Sequence, residues 1–209
     1  MEPQGLIPQL QERFTQPLPG LQAHEEMART FRKLSPTPPP NALEAATLAL
    51  LYPKAQQWHM VFIKRVSNNR HDRHSGQISF PGGRAEEEDR GYNQTALREA
   101  QEEVGVDPSS ITLIGQLTQL YIPVSNFLVY PFVGYTEQPP NFQAQVSEVQ
   151  HIIEVPIPLL LSPESRQTTR IRLSEQIQLP NVPCFIVNDH IIWGATAMML
   201  NEFLRLIQA

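Results

Sequence analysis

Glu99, Glu102 and Glu103 stand three and four residues apart, so on an α-helix they share one side. Three neighbouring carboxylates repel one another unless water solvates them or a cation sits between them. Their oxygens suit a hard cation such as Mg2+ or Mn2+, which keeps several waters and also takes phosphate oxygens. A cation held there against a diphosphate would neutralise charge and lower the pKa of a bound water. Taken alone, Arg98-Glu-x-x-Glu-Glu reads as a solvated acidic face with a surface ion pair. The surroundings argue for more. Pro81-Gly82-Gly83 precedes it, where glycine lets backbone approach a ligand closely, and Gly105-Val106 follows.

A helix over residues 93–104 carries these groups, with Asn93 as a candidate N-cap and Gly105 as the stop. Ala96, Leu97, Ala100 and Val104 form its apolar face. Strands are expected over 58–64, 78–80, 111–121 and 127–135, with another over 150–155 and a short Pro-led helix at 156–161. Residues 45–51 are a short apolar run compatible with a buried strand, although period alone does not exclude a helix. Weaker strand patterns lie at 170–173, 184–187 and 191–193, and an amphipathic helix at 195–207 closes the chain. Near the start, residues 6–14 and 24–34 have helix-compatible spacing. This mixture predicts an α/β protein with a sheet sandwiched by helices.

The 24 residues Gly83 to Val106 contain Gly83, Asp89, Arg98, Glu99, Ala100, Glu102, Glu103, Gly105 and Val106. They resemble the Nudix box, whose pattern is Gly, five residues, Glu, seven residues, then Arg-Glu-apolar-x-Glu-Glu-x-Gly-apolar. Two departures stand out. Asp89 replaces the first Glu, and one extra residue precedes Arg98. The resemblance implies a Nudix-type α/β/α sandwich with a mixed sheet between helices. It also implies hydrolysis of a nucleoside diphosphate linked to another group. By position in the box, Glu99, Glu102 and Glu103 would bind the metal, the backbone at Gly82 or Gly83 could add a carbonyl ligand, and Arg98 would orient a carboxylate. Glu102, Glu103 and Glu148, from a later loop, are the candidates for general base.

The flanks resemble the coenzyme A diphosphatase subfamily. Gly76-Gln-Ile-Ser-Phe80-Pro-Gly-Gly83 follows its Gly-x-x-x-Phe-Pro-Gly-Gly pattern, Arg65 and Arg70 are placed like its two upstream arginines, and residues 192–197 resemble its C-terminal helix start. Pro17-Leu18-Pro19-Gly20 and Met27 are loosely similar to its N-terminal region. Val66 replaces a small residue, and five residues rather than three separate Arg70 from Gly76. The implied reaction cleaves coenzyme A or an acyl derivative to a phosphopantetheine product and adenosine 3′,5′-bisphosphate. Lys64, Arg65, Arg70 and Arg73 put four cations into ten residues and would clamp its phosphates. Another nucleoside diphosphate derivative, or a non-catalytic nucleotide-binding domain, is the alternative. His71 and His74 without further ligands make a poor zinc site.

The whole chain agrees with these readings. It has 209 residues, 41% hydrophobic and 18% charged, with a net charge of −5, which suits one domain and argues against general nucleic-acid binding. The Pro-rich stretch at 35–40 separates residues 1–41, read as an extension packed on the domain, from a catalytic domain at 42–209. No apolar stretch of about 18 residues is present and the start lacks a secretory pattern, so no membrane partner is expected. The single Cys184 excludes an internal disulfide, fits a reducing, cytoplasmic setting and reads as a buried apolar residue. The expected partner is a small nucleotide substrate, and a homodimer is compatible with the sequence.

Overall fold

The apolar run that begins at Leu43 hides its period because both of its faces are covered. In the computed structural model, which describes residues 3–28, 37–66, 76–172 and 176–208, it forms the long strand β1 (Leu43–Lys54). Ala46, Leu48, Leu50 and Tyr52 point into one core, while Ala45, Ala49 and Leu51 point into another. Strand alternation divides one continuous apolar stretch between two layers.

Two helices, α1 (Pro3–Arg13) and α2 (Gly20–Met27), precede β1. After it come β2 (Gln57–Arg65), β3 (Ile78–Ser79), β4 (Gly82–Arg84) and helix α3 (Tyr92–Val104). Strands β5 (Thr112–Gln116), β6 (Leu120–Ile122), β7 (Phe127–Tyr135) and β8 (Val149–Pro156) lead into the short helix α4 (Ile157–Leu161). The chain then runs through β9 (Arg166–Arg172), β10 (Gln178–Val187) and β11 (His190–Trp193) into α5 (Gly194–Gln208).

β1 pairs parallel with β7 and antiparallel with β2, so the main sheet is mixed. Its path is β3-β2-β1-β7-β5, with β4 on β1, β6 on β7 and β8 on β2. One face packs on α3 through Ala96, Ala100 and Val104. The other packs on α5, and α1 and α2 lie against α5 in turn. A smaller antiparallel sheet, β11-β10-β9, flanks α5. The expected α/β sandwich with a mixed sheet between helices is the one the chain forms.

Several local expectations change. Residues 111–121 are not one strand but β5 and β6, separated where the Thr118 N–H and hydroxyl turn to Glu202. The N-cap of α3 is Gly91 in extended backbone, and Asn93 lies inside the helix. In α5, read from the sequence as an amphipathic helix, the polar Asn201 and Glu202 are covered, 2% and 0% exposed, because α2 lies over them. α2 itself starts at Gly20 and ends at Met27, where the spacing suggests 24–34. Residues 29–34 lie outside the described residues.

Candidate active site

Two glycines set the floor of the site. The Leu48 N–H donates to Pro81 O at 2.9 Å, and β4 pairs with β1 at Thr47↔Gly82 and Ala46↔Gly83. Phe80 stacks on Phe62 at 5.0 Å, anchoring this segment to β2. Gly82 has φ +155, and a Cβ there would strike Thr47 Cα at 2.6 Å, so only glycine fits. At Gly83 a Cβ would meet all three atoms of the Glu99 carboxyl at 2.5 Å. The absence of side chains lets α3 lay Glu99 and Glu103 directly on the β4 backbone.

The three glutamates share one side of α3, but they sit at graded depths. The Glu102 side chain is 55% exposed, Glu99 13% and Glu103 only 2%. Glu103 accepts the Gly82 N–H on Oε2 at 2.8 Å and Arg65 Nη1 on Oε1 at 3.2 Å. Burial pushes its pKa up to about 7, against the pull of Gly82 and Arg65 and with the neighbouring charges of Glu99 and Glu148. Burial also raises Glu99, opposed by Arg98 and assisted by the Glu102 and Glu148 charges.

Arg98 organises the outer half. Its Nη1 donates to Glu99 at 2.9 Å and Glu102 at 3.1 Å, and its Nη2 to Arg84 O at 3.0 Å. Asp89 grips the same guanidinium in a fork, Nε to Oδ1 at 3.1 Å and Nη2 to Oδ2 at 3.0 Å. Thr95 Oγ1 and the Glu86 N–H also donate to Asp89. Chiefly through Arg98, the Asp89 pKa falls to about 2. Asp89 therefore serves the arginine, a task that the sequence reading did not assign to it.

The remaining predicted residues fall in different places. Arg65 ends β2 on the face of Val61 and Ile63, toward α3. Lys64 is its neighbour in the strand, so alternation assigns it to the opposite face, with Phe62. Glu148 is exposed on the loop before β8. That loop is tied to the site by the Gln145 N–H to Glu103 O at 3.1 Å and the Val66 N–H to Glu148 O at 2.9 Å. Arg70, Arg73, His71 and His74 lie outside the described residues.

The donor set fits a hard divalent cation: Glu99, Glu102 and Glu103 offer only carboxylate oxygens, and the glycine cradle at Gly83 brings backbone to Glu99. Among the described residues no three His, Cys, Asp or Glu side chains converge on one point. Arg98 holds Glu99 and Glu102, and Arg65 holds Glu103. The cationic partners stand where a metal's charge would be felt.

Residues 42–170 match the NUDIX domain, more than half of the chain and all of the α3 carboxylate site. The chain belongs to the Nudix hydrolase family. Nudix hydrolase NudL of Enterobacter sp. (strain 638) is 32% identical over 188 residues, 85% of this chain and 91% of that one. NudL of Photorhabdus laumondii subsp. laumondii is 34% identical over 135 residues, 65% and 71% of the two chains. The chain spans only 43% of the length of Nudix hydrolase 22, chloroplastic, of Arabidopsis thaliana, to which it is 32% identical over 131 residues, 61% of this chain. The MutT/nudix family protein from Enterococcus faecalis shares the fold at TM-score 0.50 and 12% identity, over 90% of this chain and 68% of that one. Nudix hydrolases generally use divalent metal cations. Among the described residues no helix is long and apolar enough to cross a membrane.

Proposed function

We propose that this Nudix hydrolase cleaves the diphosphate linkage of coenzyme A or an acyl-coenzyme A. The products are a phosphopantetheine compound and adenosine 3′,5′-bisphosphate. The observation that carries the reaction is the seating of Glu99 and Glu103 on the Gly82-Gly83 backbone. In this reading Glu99, Glu102, Glu103 and the Gly83 carbonyl hold Mg2+ or Mn2+. A cation bound there would neutralise the diphosphate and acidify a water. Arg98 keeps Glu99 and Glu102 oriented, and Asp89 keeps Arg98 in place.

Among the three candidate bases, Glu148 fits the proton-accepting role best. Both oxygens of Glu103 are engaged, and Glu102 is held by Arg98. Glu148 is exposed, yet close enough for its charge to act on both Glu99 and Glu103. The coenzyme A assignment rests on the Gly76–Gly83 pattern and on Arg65, Arg70 and Arg73 as phosphate contacts. The longer Arg70–Gly76 spacing, and Lys64 on the other face, favour a different nucleoside diphosphate derivative as the second reading.

The test is turnover of coenzyme A, nucleotide sugars, dinucleotides and nucleoside triphosphates with Mg2+ or Mn2+, scored by product identity. Hydrolysis of nucleotide sugars without coenzyme A would select the second reading, and no turnover at all would sink both. Glu148→Gln should lower kcat by about a hundredfold or more with Mn2+ affinity unchanged. Glu103→Gln should weaken Mn2+ binding itself.

A further inference from the structure

Arg65 is the point where three parts of the site meet. Its own N–H donates to Gln77 O at 3.1 Å, on the segment leading to Gly82. The next residue, Val66, donates its N–H to Glu148 O at 2.9 Å. The Arg65 side chain reaches Glu103 through one nitrogen, Nη1, at 3.2 Å. A guanidinium carries five N–H donors in a rigid fork. Among the described residues this is the one side-chain bond that Arg65 makes, and the side chain is 29% exposed. Toward those residues the rest of the fork is uncommitted, beside carboxylates that suit a cation.

Glu103 cannot serve Arg65 and a divalent cation equally. The two positive charges would share one carboxylate with little water between them, and like charges at such distances repel. Each Glu103 oxygen accepts one bond, Oε1 from Arg65 and Oε2 from the Gly82 N–H. Each oxygen keeps a lone pair for a cation, but the cation's charge opposes the guanidinium on the same carboxylate and not the neutral Gly82 N–H, so the arginine bond is the one that loosens. The freed guanidinium then stands close to the cation with its donors unmatched. Its natural partner is an anion carried to the same cation, and a diphosphate is such an anion.

We infer that Arg65 couples cation binding to phosphate binding: it neutralises Glu103 while no cation is bound and passes to the substrate's diphosphate when a divalent cation takes over that carboxylate. The inference rests on Glu103 being a metal ligand, as proposed for the reaction. It makes Arg65 a cation surrogate as well as a phosphate contact, so that each ligand strengthens the other, as linkage requires.

The experiment is calorimetric titration of wild type, Arg65→Gln and Glu103→Gln with MnCl2 alone, then with α,β-methylene-ADP at saturating Mn2+. Arg65→Gln should bind Mn2+ alone about tenfold more tightly, since no cation has to be displaced, and methylene-ADP about tenfold more weakly. Arginine acting only as a structural pin predicts the opposite first result, weaker Mn2+ binding. Unchanged or weaker Mn2+ binding, or unchanged methylene-ADP binding, overturns the coupling. Mn2+ binding that Glu103→Gln leaves intact overturns the metal reading, and the coupling with it. Should Arg65→Gln melt below the assay temperature, Arg65→Ala carries the same two titrations with the same expected signs.

Discussion

Glu99 and Glu103 are acidic groups that the chain has partly removed from water, and donors placed within hydrogen-bond reach offset only part of the cost. Gly83 is the position most sensitive to this arrangement. A Cβ there would displace the Glu99 carboxylate, the far end of a flexible side chain, so Gly83→Ala should leave the fold intact. It should still cost about ten- to a hundredfold in Mn2+ affinity, measured by titration beside an unchanged melting temperature. Gly82→Ala should instead fail to fold, because its contacts are backbone and its φ is +155. Asp89 acts one step further out. Its folded pKa, about 2, lies below the ordinary value of 3.8, so its stabilisation is present above about pH 4 and lost as pH falls toward 2. Asp89→Asn should lower stability by about 1 to 2 kcal/mol at neutral pH and flatten that acid limb in urea titrations.

At the scale of elements, α2 is tied to α5 by a buried carboxylate. Glu202 accepts His24 Nε2 at 2.9 Å, Gly20 N–H at 3.1 Å and Thr118 Oγ1 at 2.7 Å, with Glu202 and His24 both 0% exposed. Burial alone would raise the Glu202 pKa, but His24 and Thr118 outweigh it and hold it low. Nearby, Glu26 takes Arg166, Arg205 and Asn201. One residue, Glu202, thus joins α2, α5 and the β5–β6 connection. Glu202→Gln should cost about 3 kcal/mol, because buried donors lose their charged acceptor. A depressed carboxylate contributes stability above its ordinary pKa of 4.5 and loses it as pH falls. The variant should therefore lose less stability than wild type between neutral pH and pH 4, read by chemical denaturation at each pH.

For the whole molecule, α1 and α2 contribute core to the region that matches the family. Leu6, Leu10 and Met27 are each at most 1% exposed and belong to the cluster that contains α5. Burial of a large apolar side chain stabilises by roughly 1.5 to 3 kcal/mol. Three of them represent about 5 kcal/mol or more, against total stabilities of about 5 to 15 kcal/mol. A chain beginning at residue 42 should expose the outer face of α5 and bind a hydrophobic dye or aggregate, whereas the 209-residue chain should unfold cooperatively. A soluble, cooperatively melting fragment would show that the N-terminal helices are dispensable.

Chemistry was legible in residues whose types are rare in combination. Glu99, Glu102 and Glu103 after Gly82-Gly83 announced a carboxylate site without any coordinates, and Gly105 marked the end of α3, where it sits left-handed at φ +71. Strands such as β2 and β7 followed from composition and bounding turns. The rest depended on contacts distant in sequence. β1 concealed its alternation because it is buried on both faces. The amphipathic pattern of α5 does not show that α2 covers Asn201 and Glu202. Arg65 and Lys64 looked alike as neighbouring cations, and only the packing of α3 on one face of β2 decides that Arg65 is the one to meet Glu103. The helix period put three glutamates on one side, a local property that spacing determines. Their depth, from 55% exposure at Glu102 to 2% at Glu103, was decided by the glycine-lined β4 packing against that side, a long-range contact that no local pattern encodes.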